Sequence, residues 1–124
     1  MSPAEMLLIA GAGGAGAAAR LVLDGLIRSR AGSGFPWGTT AINVSGSLLL
    51  GLVTALAALH GLAEPWTSAI GTGLLGGYTT FSTASFETVR LVQDRRHTLA
   101  LANGLGMLVL SVAAASLGWL LGSL

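Results

Sequence analysis

The sequence predicts an all-α integral membrane protein in which four helices cross the bilayer and the third is broken partway. Three observations predict it. Only 9% of the residues are charged and 52% are hydrophobic, with a mean hydropathy of +0.77. A soluble domain carries about 25% charge, so this chain has too little to cover a water-facing surface. The apolar residues fall into four long runs divided by short polar turns, each near the ~20 residues that a bilayer crossing needs. The third run carries Gly76-Gly77-Tyr78-Thr79-Thr80-Phe81-Ser82-Thr83-Ala84-Ser85-Phe86-Glu87, where paired glycines and hydroxylated, β-branched residues are poor helix formers. In hydrocarbon a helix can break only where its freed backbone groups find other partners, as at an ion site or a wet cavity.

Composition narrows the function classes. A formal net charge of +1 and the lack of any lysine leave no basic face for nucleic acid. With no cysteine, disulfides, thiolate metal sites and cysteine nucleophiles are excluded, and no feature points to an enzyme. The first apolar run lacks the positive flank and small-residue cleavage site of a signal peptide, so it is expected to stay in the protein. Residues 1–124 then make a single four-helix domain with almost no mass outside the membrane.

The first span covers about residues 3–27. Gly11-x-Gly13-x-x-Gly16 after Met6 to Ala10 matches a dinucleotide-binding fingerprint in form. No acidic residue follows about 20 positions later to meet a ribose, and no strand–helix alternation follows either. The run reads better as a small-residue helix face, with Gly14 and Ala18 allowing close approach of a neighbour. Arg20 lies inside the apolar run. It either snorkels toward headgroups or stands as a fixed positive charge at a vestibule, favouring anions.

A basic turn at residues 28–34 leads to Pro36 and Trp37, a helix-opening proline and an interfacial tryptophan. The second span, residues 37–59, puts Asn43, Ser47 and Thr54 on one stripe. A buried asparagine amide offers two donors, as a desolvated anion requires; equally, Asn43 could bond a neighbouring helix. Residues 60–65 form a turn in which His60 has no partner at metal-ligand spacing, and Pro65-Trp66 repeats the opening signal. The third span covers residues 66–92. Its break would expose carbonyls and hydroxyls at mid-membrane depth, where ions are bound or passed. After a turn at Asp94, Arg95, Arg96 and His97, the fourth span covers residues 98–121. One of its faces carries Asn103, Met107, Ser111, Ala115, Gly118 and Gly122, the last two a small-xxx-small packing pair. Polar stripes on spans two, three and four need protein neighbours, so an oligomer is expected.

Three of these stretches together resemble the CrcB/Fluc fluoride channels. Gly76-Gly77-Tyr78-Thr79-Thr80-Phe81-Ser82-Thr83 is similar to the family's GGxTTFST signature. Gly16-Ala17-Ala18-Ala19-Arg20 is similar to GAxxR, and Gly38-Thr39-Thr40-Ala41-Ile42-Asn43-Val44-Ser45-Gly46 to GTxxxNxxG. The resemblance implies a passive, fluoride-selective channel of the inner (plasma) membrane, built as an antiparallel, dual-topology dimer with two pores. It also implies a structural sodium ion at the dimer interface, held by the backbone carbonyls of Gly76 and Thr79. Asn43 and Phe81 would line the anion path, Ser111 the polar track on the fourth span, and Arg20 and Glu87 the pore ends. Two positions depart from the family. Its second pore phenylalanine falls where this chain has Ala84, with Phe86 two residues later, and a tyrosine one turn before the fourth-span serine is Met107. The second ring then comes from Phe86, from a partner, or not at all.

Fluoride is small and strongly hydrated, so a path must replace its water with donors. Candidates are the hydroxyls of Thr80, Ser82, Thr83 and Ser111 and the Asn43 amide, aided by the positive edge of an aromatic ring. Two other classes compete. A small multidrug-type, proton-coupled antiporter needs a carboxylate within the membrane, yet Glu5 is terminal and Glu87 lies near a span's end. A packing subunit without a pore would use the polar stripes for interhelical bonding alone. Finally, Arg28, Arg30, Arg90, Arg95 and Arg96 border the first and third turns, while the second turn and both termini carry no Arg or Lys. The positive-inside rule puts those two turns in the cytoplasm. This bias suggests pairing with an oppositely biased, paralogous subunit as half of a heterodimer.

Overall fold

The computed structural model describes residues 1–124. Three helices are long and apolar enough to cross a membrane: Pro3–Ala31, Trp37–His60 and His97–Ser123. The third traverse, between the second and third of these, is made in two pieces. We label the elements α1 (Pro3–Ala31), α2 (Trp37–His60), α3 (residues 66–78), α4 (Ser82–Gln93) and α5 (residues 97–122). All are helical, as expected.

Local chemistry sets the ends. Ser2 caps α1 reciprocally with Glu5, each bonding the other's backbone N–H, and Pro3 opens the first turn. Gly61, with φ 71°, ends α2 in the left-handed conformation that glycine adopts without penalty. Two π-helical stretches run inside the traverses, Ala69–Leu75 in α3 and Ala102–Gly106 in α5. Neither was foreseen from sequence, because residue patterning at this length does not separate π from α geometry.

Packing depends on glycine. α1 lies against α3, and α2 against the latter part of α5. A Cβ on Gly16 would overlap the Leu74 carbonyl, and one on Gly77 would overlap the Gly13 carbonyl. The α2–α5 contact is built the same way, Gly51 facing the Ala115 carbonyl and Gly118 the Leu48 carbonyl. This matches how membrane helices associate, by backbone approach at small residues rather than by hydrophobic exclusion. The expected packing role of Gly118 and Gly122 holds. That of Gly14 and Ala18 does not: both are exposed, nothing approaches Gly14 within 4 Å, and Gly13 and Gly16 carry the contact instead.

The break itself falls at residues 79–81, two positions after the glycine pair. Gly76–Tyr78 is still helical, and Thr79 turns extended, at φ −79° and ψ 160°. Gly77 is needed for close approach to α1; the turn is made by the threonines that follow.

Candidate functional site: the broken third traverse and its groove

Thr79 closes the end of α3, its N–H and hydroxyl both donating to the Leu75 carbonyl at 2.9 Å. The next residue leaves the ladder. Thr80 N–H donates to Asn43 Oδ1 and Asn43 Nδ2 donates to the Thr80 carbonyl, both at 2.8 Å. The carboxamide thus takes the place of helical neighbours for both backbone groups of one residue. The Thr80 hydroxyl then accepts from Thr83 N–H at 3.1 Å, the bond by which an N-cap threonine starts a helix, and donates to the Thr83 hydroxyl at 3.0 Å. Behind the break, Arg20 Nε donates to the Gly77 carbonyl at 3.2 Å. Arg20 therefore sits at the negative end of α3, where a cation is favoured. Neither the Gly76 nor the Thr79 carbonyl accepts a hydrogen bond.

An open groove of about 620 Å³ runs beside the break. Asn43, Thr80, Phe81, Ser111 and the backbone of Gly76 and Thr79 all border it, so six of the residues singled out in the sequence meet there. One Asn43 amide hydrogen is committed to Thr80. The other rests on Met107 Sδ at 3.1 Å, and a thioether is a weak acceptor. Ser47 and Ser111 also border the groove, and neither hydroxyl has a bonding partner. Asn43 thus bonds its neighbours within the chain, with one amide hydrogen on a weak acceptor. Thr54 does not join the stripe, being exposed and bonded back to the Leu50 carbonyl.

Other candidates lie elsewhere. Phe81 is 87% exposed at the groove's edge. Ser82 is exposed and borders neither cavity. Thr83, Phe86 and Glu87 border a second cavity of about 500 Å³ at the end of the first and third turns. There the buried Thr39 donates to Glu87 at 2.5 Å, and Arg28 bridges Asp24 at 3.1 Å and Glu87 at 3.9 Å. Arg96 reaches the Gly34 carbonyl at 3.0 Å, tying the two basic turns together. Asp24 and Thr39 escaped the sequence reading. The four-residue spacing from Asp24 to Arg28 was the available signal for the first. Thr39 gave none beyond its place in a motif.

Fold and site define a multi-pass helical membrane protein whose third traverse is broken beside a donor-lined groove. Residues 7–119 match the family described as CrcB-like protein, Camphor Resistance (CrcB). The chain belongs to this family. It is similar to three proteins named fluoride-specific ion channels. FluC 1 of Leifsonia xyli subsp. xyli is 60% identical over 124 residues, covering 100% of this chain and 90% of the relative. FluC 2 of Cutibacterium acnes is 48% identical over 119 residues, covering 95% and 97%. FluC 1 of Frankia casuarinae is 44% identical over 119 residues, covering 91% of each.

Proposed function

We propose that this chain is a passive, fluoride-selective channel of the plasma membrane that lets fluoride leave the cytoplasm and so relieves its toxicity. The observation that carries the reading is the Asn43–Thr80 exchange, which holds a helix break open onto a groove with unpaired hydroxyls. Hydrogen fluoride crosses membranes as a neutral acid and dissociates at cytoplasmic pH. A passive path then drains the trapped anion down its electrochemical gradient.

Each residue has a task in this reading. The Asn43 N–H that rests on Met107 redirects its hydrogen bond to an arriving fluoride, because an anion is a better acceptor than a thioether. The Ser47 and Ser111 hydroxyls replace further water along the groove. Thr80 and Thr83 keep the start of α4 in place. Phe81, exposed on one protomer, offers a ring edge to the anion once a second copy covers it. The chain works as an antiparallel dimer with two pores. The Gly76 and Thr79 carbonyls of each protomer would hold a structural sodium ion. They fit that role: free carbonyls in and just past the last turn of a half-helix are oxygen donors of the kind that sodium takes, and both lack a hydrogen-bond donor. When bound, the ion supplies a fixed positive potential near the path.

A second reading of the assembly has its own support. All five arginines beyond Arg20 lie at or near the end where Arg96 joins the two turns, and such a bias favours one insertion orientation. The partner in an antiparallel pair is then a paralogous subunit of opposite bias.

A fluoride-electrode efflux assay on liposomes containing this chain alone tests both. Fluoride efflux with negligible chloride efflux supports the channel as a homodimer. Efflux only after a paralogue is added supports the heterodimer, and no efflux in either case removes the channel reading.

A further inference from the structure

We propose that Arg28 offsets two carboxylates, Asp24 and Glu87, in the second cavity, and that this balance of charge sets how readily an anion enters it. This rests on the fluoride-channel reading above. The opening turn of α2 seats the two acids side by side. Gly38 leaves room for the Asp24 carboxylate, whose Oδ1 a Cβ at that position would overlap. The buried Thr39 donates to Glu87 Oε1 at 2.5 Å, a length usual for a hydroxyl on a carboxylate. Arg28 spans both acids, its Nη2 lying 3.1 Å from Asp24 Oδ2 and 3.9 Å from Glu87 Oε2. The Asp24 and Glu87 side chains are 25% and 16% exposed, that of Arg28 56%, so the cation is the most open of the three.

This cavity adjoins the groove. The two meet at the start of α4, where the hydroxyl of Thr80, which borders the groove, donates to that of Thr83, which borders the cavity, at 3.0 Å. The cavity's volume of about 500 Å³ is many times the ~30 Å³ that one water takes up. An ion crossing it keeps its water and responds to the summed charge of the walls rather than to one side chain.

That sum is closely balanced. Asp24, Glu87 and Asp94 face Arg28, Arg90 and Arg96 across the cavity, three of each sign. Arg96 is held by the Gly34 carbonyl, and of the three arginines only Arg28 forms ion pairs. Remove its charge and the lining turns net negative, with two recessed carboxylates left side by side. A cavity of one sign depletes ions of that sign and slows their entry. Neutralising Asp24 as well brings the lining back to balance, and neutralising Asp24 alone makes it net positive. Flux of an anion then follows the charge of the cavity in both directions, which a merely structural role for the Asp24–Arg28 pair does not predict.

The test compares fluoride efflux per folded channel in liposomes for wild type, Arg28→Gln, Arg28→Lys, Asp24→Asn and the Asp24→Asn, Arg28→Gln pair, with folding judged by monodisperse elution. Each is measured at low and at high ionic strength, set with a salt of impermeant organic ions. At low salt Arg28→Gln is expected to slow efflux by about threefold or more, Arg28→Lys and the double variant to recover most of the loss, and Asp24→Asn to exceed wild type. High salt should narrow these differences, because the screening length falls from about 10 Å at 0.1 M to about 3 Å at 1 M. Wild-type efflux from Arg28→Gln at low salt overturns the proposal. So does a loss that neither lysine nor the second substitution repairs, or one that salt leaves unchanged. Should Arg28→Gln fail to fold, Asp24→Asn decides: faster efflux at low salt supports the charge balance, and equal or slower efflux overturns it. A wild type that passes no fluoride overturns instead the channel reading on which it rests.

Discussion

Asn43 on α2 and Thr80 at the break exchange two hydrogen bonds, N–H of Thr80 to Oδ1 and Nδ2 to the Thr80 carbonyl, each 2.8 Å long. This side chain does for the broken traverse what a preceding and a following helical turn would otherwise do. Without it, the N–H and carbonyl of Thr80 would both be unpaired where the traverse breaks, at roughly 1–3 kcal/mol for each group. The break is therefore a bonded structure, not a frayed one.

Replacing Asn43 tests that relationship directly. Asn43→Asp keeps the acceptor for Thr80 N–H and removes both amide hydrogens. Fluoride efflux from liposomes is expected to fall by about tenfold or more, with a lower melting temperature in detergent. Asn43→Leu should lose both bonds and be worse in each measurement. Unchanged efflux from the Asp variant would show that the amide serves the fold alone.

Arg20 should behave as a support of the break. Its Nε bonds the Gly77 carbonyl, so Arg20→Leu strands that carbonyl in an apolar setting and removes a charge from the end of α3. A destabilisation of roughly 1–3 kcal/mol is expected, read as a fall in the denaturation midpoint, together with slower efflux. Arg20→Lys restores charge but lacks the guanidinium geometry, so it should recover only part of the loss.

These residues also show what a sequence can and cannot convey. That the third traverse breaks was legible, because paired glycines and clustered threonines in an apolar run all disfavour a continuous helix. Where it breaks was not. Gly77 stays helical against Gly13, and the turn comes at Thr79, where Asn43 displaces the helix as partner of Thr80 N–H. That competition depends on a residue far away in the chain. The first helix posed a problem of phase. Gly11, Gly13, Gly14 and Gly16 lie among alanines, so no polar or bulky residue marks which face meets a neighbour, and Gly13 and Gly16 emerged only once α3 was in place. Arg20 was legible as a charge inside an apolar run but not as a partner of a carbonyl 57 positions away. The pairing of Asp24 with Arg28 was local, and its spacing alone could have revealed it.

Close backbone approach gives a paired comparison along α1. Gly16→Ala puts a methyl group into the Leu74 carbonyl, so α1 and α3 must separate. Overpacking of this kind costs about 1–3 kcal/mol, and more where backbone has to move. Gly14→Ala meets nothing within 4 Å and should be neutral or slightly stabilising, because alanine is the better helix former. Thermal melts of the two variants in the same detergent check the contrast, and equal melting temperatures would argue against the α1–α3 interface described here.

The two phenylalanines near the break should separate cleanly. Phe81 is 87% exposed at the edge of the groove and supports nothing within its own protomer. Phe81→Ala should therefore leave the protomer's packing intact, and the proposed role of its ring edge predicts a large loss of fluoride efflux. Phe86 borders the other cavity, with Arg28, Glu87 and Arg90. Two positions on from Ala84 along α4, it is rotated about 200° from it, whereas Ala84 borders the groove. It is thus poorly placed to supply a ring that the chain lacks at Ala84, and Phe86→Ala is expected to keep efflux within about threefold of wild type, a change worth well under 1.4 kcal/mol. Flux measured on both variants in liposomes decides the matter: if Phe86→Ala is as slow as Phe81→Ala, Phe86 belongs to the anion path, and the helix must turn from the orientation seen here when the channel assembles.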